Sequence, residues 1–158
     1  MSEPAPHPVE HAFDASDVRD GRARVFLVED DAQDAVRIRR ALAGDPDSPR
    51  SFHLEHVTSL RAAKERLSQG ALDVALLDLQ LPDSRGIETL LRILSWAPEL
   101  PVVVFTTSNA DDDIEKTYDL GVSSYITKPS SFEGLMEVIR MLNVYWSNMA
   151  VLPAANRA

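Results

Sequence analysis

Apolar residues along this chain fall into two alternating kinds of segment: short unbroken runs, and longer stretches where they recur every three or four positions. Val25-Phe26-Leu27-Val28, Val74-Ala75-Leu76-Leu77 and Val102 to Phe105 are unbroken. Runs this short and this continuous predict strands covered on both faces. Val122 to Ile126 predicts a fifth strand, and Phe52 to Val57 alternates apolar with polar, as a strand at a sheet edge does.

Between the runs lie amphipathic helices. Gln33 to Ala43 places Ala35, Ile38, Ala41 and Leu42 on one face, and Gly44-Asp45-Pro46 stops it. Ser59 is a candidate N-cap for a helix with Leu60, Ala63 and Leu67 inward, ending at Gly70. Leu81 to Gly86 reads as a loop on its Pro, Asp, Ser and Gly content. Ile87 to Trp96 turns Ile87, Leu90, Leu91 and Leu94 inward before Pro98. Asp111 to Leu120 is a weaker helix closed by Gly121. Ser131 to Tyr145 is the last, with Leu135, Val138, Ile139 and Leu142 inward.

Five strand–helix units in strict alternation predict an α/β fold: a doubly wound, five-stranded parallel sheet with helices on both faces. The half-polar second strand suits an edge, so the predicted order is 2-1-3-4-5, the flavodoxin-like arrangement.

Composition narrows what such a domain can do. At 158 residues, with 44% apolar, the chain has room for one ordinary core. Its charge, 16 − 25 = −9, disfavours nucleic acid and acidic membrane surfaces as partners. No cysteine is present, so disulfides and thiolate metal sites are excluded. No apolar stretch approaches the roughly 20 residues that span a bilayer. Residues 1–21, with Pro4, Pro6 and Pro8, lack the basic start and apolar core of a signal peptide and read as a flexible tail. The folded body is expected over 22–149, with a second tail over 150–158 and the cytoplasm as the default compartment.

In open α/β sheets the ligand sits beyond the carboxyl ends of the strands. Glu29 and Asp30 end the first strand, Asp78 the third and Thr106 the fourth, while Lys128 follows the fifth. Three carboxylates at one rim repel one another unless a cation joins them. Oxygen ligands without His or Cys suit Mg²⁺, which keeps waters and phosphate oxygens in its shell. A lysine and a hydroxyl beside that ion make a phosphoryl-transfer constellation, with Asp78 as the nucleophile that forms an acyl phosphate.

The segments VFLVEDD, LLDLQLPDSRG, VVVFTTS and YITKP resemble, in order and spacing, the four signature segments of response-regulator receiver domains. The match runs from about Arg24 to Tyr145. Each segment alone is weak, and four in register are specific. The resemblance implies that Asp78 is the phosphoacceptor and that Glu29, Asp30, Asp78 and the backbone carbonyl of Gln80 hold Mg²⁺, with Mn²⁺ as a substitute. It implies phosphate-binding roles for Thr106, Thr107 and Lys128, and a switch pair in Thr106 and Tyr125. It further implies a single-domain regulator that accepts phosphate from a sensor histidine kinase, catalyses only its own phosphorylation and dephosphorylation, and signals to an effector or a histidine phosphotransfer protein. Glu29 in place of Asp, and a bulky Thr107, depart from the usual pattern. The bond before Pro129 is often cis in this family. The TTS run and the terminal Leu142 to Trp146 resemble receivers that partner phytochromes, which suggests a bacteriophytochrome as kinase. Tyr145 and Trp146 are candidate interface anchors for a homodimer.

Blander readings apply elsewhere. Asp111-Asp112-Asp113 suits a solvated first helical turn, favoured by the macrodipole. Asp31 and Asp34 read as cap and surface, and His7, His11, His53 and His56 as ordinary side chains. Two rival functions use the same residues. A haloacid-dehalogenase-like phosphohydrolase would carry its nucleophile at the end of the first strand in a D-x-D pattern, and a phosphorylation-independent scaffold would not need the full set of acids, Thr106 and Lys128.

Overall fold

The computed structural model describes residues 23–43, 52–107 and 111–148, apart from the side chains of 43, 111–113 and 143–148. The elements are β1 (Arg24–Val28), α1 (Ala32–Ala43), β2 (His53–Val57), α2 (Leu60–Leu67), β3 (Val74–Leu77), β4 (Gln80–Leu81), β5 (Ser84–Arg85), α3 (Ile87–Trp96), β6 (Val102–Thr106), α4 (Asp111–Asp119), β7 (Ser124–Thr127) and α5 (Phe132–Asn148). Five strands form one parallel sheet in the order β2-β1-β3-β6-β7, the 2-1-3-4-5 order expected once the two-residue strands are set aside. Every residue of β3 and β6 is buried, whereas every residue of β2, at the edge, is half-buried.

The pleat sorts the strand side chains into two cores. On one face Phe26, Val28, Ala75, Leu77, Val102 and Val104 pack with α2 and α3. On the other Val25, Leu27, Val74, Leu76, Val103 and Phe105 pack with Ile38 of α1 and Ile139 of α5. Strands that bury both faces read as unbroken apolar runs for this reason.

The loop predicted over 81–86 is instead a small hairpin, β4 against β5, with Gln80 opposite Arg85. Gly86 closes it: its N–H donates to the Leu79 carbonyl at 2.7 Å, with φ 65° and ψ −146°, a backbone conformation that only glycine tolerates. Buried Thr89 lies 2.7 Å, oxygen to oxygen, from the Ser84 hydroxyl and so ties α3 to the hairpin. The fifth sheet strand starts at Ser124 rather than Val122, because Gly121 turns at φ 92° and Val122 still bonds back to Thr117 of α4. No described peptide bond is cis, the Lys128–Pro129 bond included. The two predicted tails lie outside the described residues.

Candidate functional site

Each strand that points at the rim ends in buried backbone pairing, which fixes where the next side chain starts. The Asp78 N–H donates to the Val28 carbonyl at 3.0 Å and the Glu29 N–H to the Val57 carbonyl at 3.0 Å, so β1, β2 and β3 end level with one another. The Lys128 N–H donates to the Thr106 carbonyl at 2.7 Å and closes β7 onto β6 in the same way.

The side chains converge from there. Asp78, only 7% exposed, accepts at Oδ1 from the Thr106 hydroxyl at 3.1 Å and from the Gln80 N–H at 3.0 Å. Its Oδ2 accepts from Lys128 Nζ at 3.1 Å. The same ammonium donates to Glu29 Oε2 at 2.5 Å and to Asp34 Oδ2 at 3.0 Å, so three carboxylates occupy its three donors. Glu29, Asp30 and Asp78 each offer a carboxylate oxygen within 4.8 Å of the others. An all-oxygen set of this kind, without nitrogen or sulfur donors, fits a hard divalent cation.

Burial and neighbouring charge together set the protonation of this cluster. Burial pushes the Glu29 carboxyl up to about 8; the Asp78 charge adds to that push, and Lys128 opposes it. Burial would lower Lys128, but the Glu29, Asp78 and Asp34 carboxylates more than reverse it and hold the ammonium above the ordinary lysine range.

The structure thus gathers Glu29, Asp30, Asp78, Thr106 and Lys128, with the Gln80 backbone alongside. Thr107 follows at the exposed end of β6. Tyr125 is half-buried against the α2–α3 core, and its N–H donates to the Tyr118 hydroxyl at 3.1 Å. The side chains of Tyr145 and Trp146 lie outside the described residues. Asp31 caps α1, its Oδ1 accepting from the N–H groups of Gln33 and Asp34 at 2.9 and 3.0 Å.

Three contacts were not read from the sequence. Asp34, expected on the surface, is a direct partner of Lys128; its position in the first turn of α1, four residues after Asp30, was the only available signal. His56, expected to be ordinary, donates through Nε2–H to the Glu29 carbonyl at 2.7 Å, since a carbonyl can only accept. Asp83, in the hairpin turn, accepts from the N–H groups of Leu60 and Arg61 at 2.8 and 3.0 Å and so caps α2 together with Ser59. Burial alone would raise the Asp83 carboxyl; these N–H donors outweigh it and hold the carboxyl below the usual range.

Known proteins match this arrangement. The family model described as the response regulator receiver domain covers residues 25–140. The probable methanogenesis regulatory protein FilR2 of Methanothrix harundinacea is 36% identical over 130 residues, 77% of this chain and 82% of that protein. The crystal structure of the phosphorylated cyanobacterial phytochrome response regulator RcpA superposes with a TM-score of 0.76 at 35% identity, covering 84% of this chain and 99% of that one. The Mn²⁺-bound form of the response regulator Rcp1, a protein of Synechocystis, gives 0.74 at 30% identity, with 84% and 99% covered. Against several other curated regulators the chain spans about half of their length.

Proposed function

This chain belongs to the response regulator receiver domain family, and on that premise we propose that it is a phosphorylation switch whose phosphoacceptor is Asp78. The single observation that carries the proposal is the Asp78 carboxylate itself, held by Thr106 and Gln80 at one oxygen and by Lys128 at the other, beside Glu29 and Asp30. A carboxylate oxygen of Asp78 attacks the phosphorus of a phosphohistidine on a sensor kinase. The new P–O bond forms as the P–N bond breaks, and the imidazole leaves. Glu29, Asp30, Asp78 and the Gln80 carbonyl would hold Mg²⁺ or Mn²⁺, which offsets charge on the carboxylates and on the phosphoryl oxygens. Lys128 transfers its Asp78-directed hydrogen bond to a phosphoryl oxygen. Thr106 turns its hydroxyl the same way, and Tyr125 repacks into the space it leaves, which shifts the population between two packings. Thr107 flanks the phosphate.

Likeness to RcpA and Rcp1 supports a phytochrome-class histidine kinase as the donor. An effector or a phosphotransfer protein would be the receiver of the signal, in the cytoplasm, with homodimerisation through the last helix at Tyr145 and Trp146. Among the described residues no helix is long and apolar enough to cross a membrane. The deciding experiment is incubation with Mg²⁺ and acetyl phosphate followed by intact mass. Wild type gains one phosphoryl group and Asp78→Asn gains none; equal labelling of the two proteins would end the proposal.

A further inference from the structure

Lys128 ends in a flexible four-carbon arm, so one hydrogen bond cannot fix where its ammonium points. Three carboxylates from three parts of the chain fix it instead: Glu29 after β1, Asp34 in the first turn of α1, and Asp78 after β3. The contact with Asp34 Oδ2, at 3.0 Å, is no longer than the one with Asp78 Oδ2, at 3.1 Å. It is also sheltered, with 6% of the lysine side chain and 20% of the aspartate exposed. A charge-assisted hydrogen bond this far from water can orient its partners, whereas an exposed ion pair does little.

Asp34 is itself tied down. Its N–H donates to Asp31 Oδ1 at 3.0 Å, and its Oδ1 faces Arg37 Nη1 at 3.6 Å. The Arg37 guanidinium lies over the Phe132 ring of α5, 5.8 Å from its centre. Asp34 therefore braces Lys128 from a helix that is packed with α5.

Chemistry separates the three acids. As phosphoacceptor, Asp78 forms the new bond to phosphorus. Glu29 is one of the three residues whose carboxylate oxygens lie within 4.8 Å of one another and suit a cation, and Asp34 is outside that set. Of the three acceptors on Lys128, Asp34 has no second task. We propose that Asp34 is a positioning residue for the phosphoryl transfer: it holds the Lys128 ammonium at the acceptor site while Asp78 and Glu29 change partners. Small losses of alignment around a reacting group cost rate out of proportion to their size. The inference rests on the reading of Asp78 as the phosphoacceptor.

The test is the rate at which acetyl phosphate labels Asp78 in the full chain, followed by intact mass in excess Mg²⁺. Asp34→Ala should label roughly tenfold more slowly than wild type, the lower end of what a hydrogen bond between charged groups contributes. Asp34→Asn, which keeps the shape and an acceptor oxygen, should lose less. In a Lys128→Met background Asp34→Ala should cause no further slowing, because the two side chains act as one unit. Without any phosphoryl donor, the ¹⁵N-detected ammonium protons of Lys128 should exchange with water faster in Asp34→Ala than in wild type. Three results overturn the inference: a labelling rate unchanged in Asp34→Ala, the same slowing with and without Lys128, or slowing that disappears as Mg²⁺ is raised, which would place Asp34 with the cation. Any of these with a labelled wild type ends this inference alone. A wild type that takes no phosphoryl group on Asp78 ends the parent reading and this inference together. Retained amide signals of the sheet report that each variant is folded.

Discussion

The Thr106 hydroxyl stands 3.1 Å from Asp78 Oδ1 and joins the ends of two adjacent strands through their side chains. Thr106 is fully buried, so its donor has no water to fall back on. Thr106→Val keeps the shape and removes the donor. It should cost about 1.5 kcal/mol of stability in a urea titration. Labelling of Asp78 by acetyl phosphate should persist in this variant, while the response of a bound partner falls.

Lys128→Met leaves Glu29, Asp34 and Asp78 facing one another without their shared cation. Breaking a buried ion cluster from one side costs about 3–5 kcal/mol. Thermal unfolding in EDTA should show that loss. Added Mg²⁺ should raise the midpoint of the variant more than that of wild type; an equal rise in both would contradict the shared-cation arrangement.

Glu29 sets a pH dependence. Its carboxyl is raised from 4.5 to about 8 by burial, so over that window the folded chain binds a proton that the unfolded chain has released. Stability without metal therefore falls as pH rises from 4.5 to about 8. Glu29→Gln should flatten the curve. Mg²⁺ needs the ionised carboxylate, so its affinity should tighten with pH over the same range and its binding should release protons, measured by calorimetry in buffers of different ionisation heat.

Asp83 has the opposite sign. Its carboxyl is held below 3.8, so its contribution is complete above that pH and is lost as pH falls through the lower folded value. Asp83→Ala should lower stability at neutral pH by about 0.5–1 kcal/mol, a small value because the group is exposed. The difference between variant and wild type should shrink in strong acid.

The sheet was legible because β1, β3 and β6 bury both faces and therefore carry no polar interruption, while β2 shows its edge position by alternation. The rim was legible because each strand end delivers its own residue type: Glu29 and Asp30, Asp78, Thr106, then Lys128. Asp34 was not, since its contact depends on how far the Lys128 arm reaches back across ninety-four positions, and a helix-start acid has an ordinary explanation. Nor was the β4–β5 hairpin, whose two-residue strands are too short to show any period. Val122 misled because burial alone does not make a strand: the first bond back to β6 comes from the Ser123 N–H to Val102.

The partition of the interior into two layers has a mechanical consequence. Tyr125 packs against the layer that holds α2 and α3, whereas Lys128 reaches Asp34 of α1, whose helix packs on the other layer. In the proposed switch, a repacking of Tyr125 would therefore act first on the α2–α3 side. On that reading, the surface offered to one neighbour would change while the face built from α1 and α5 would be the less affected grip for another.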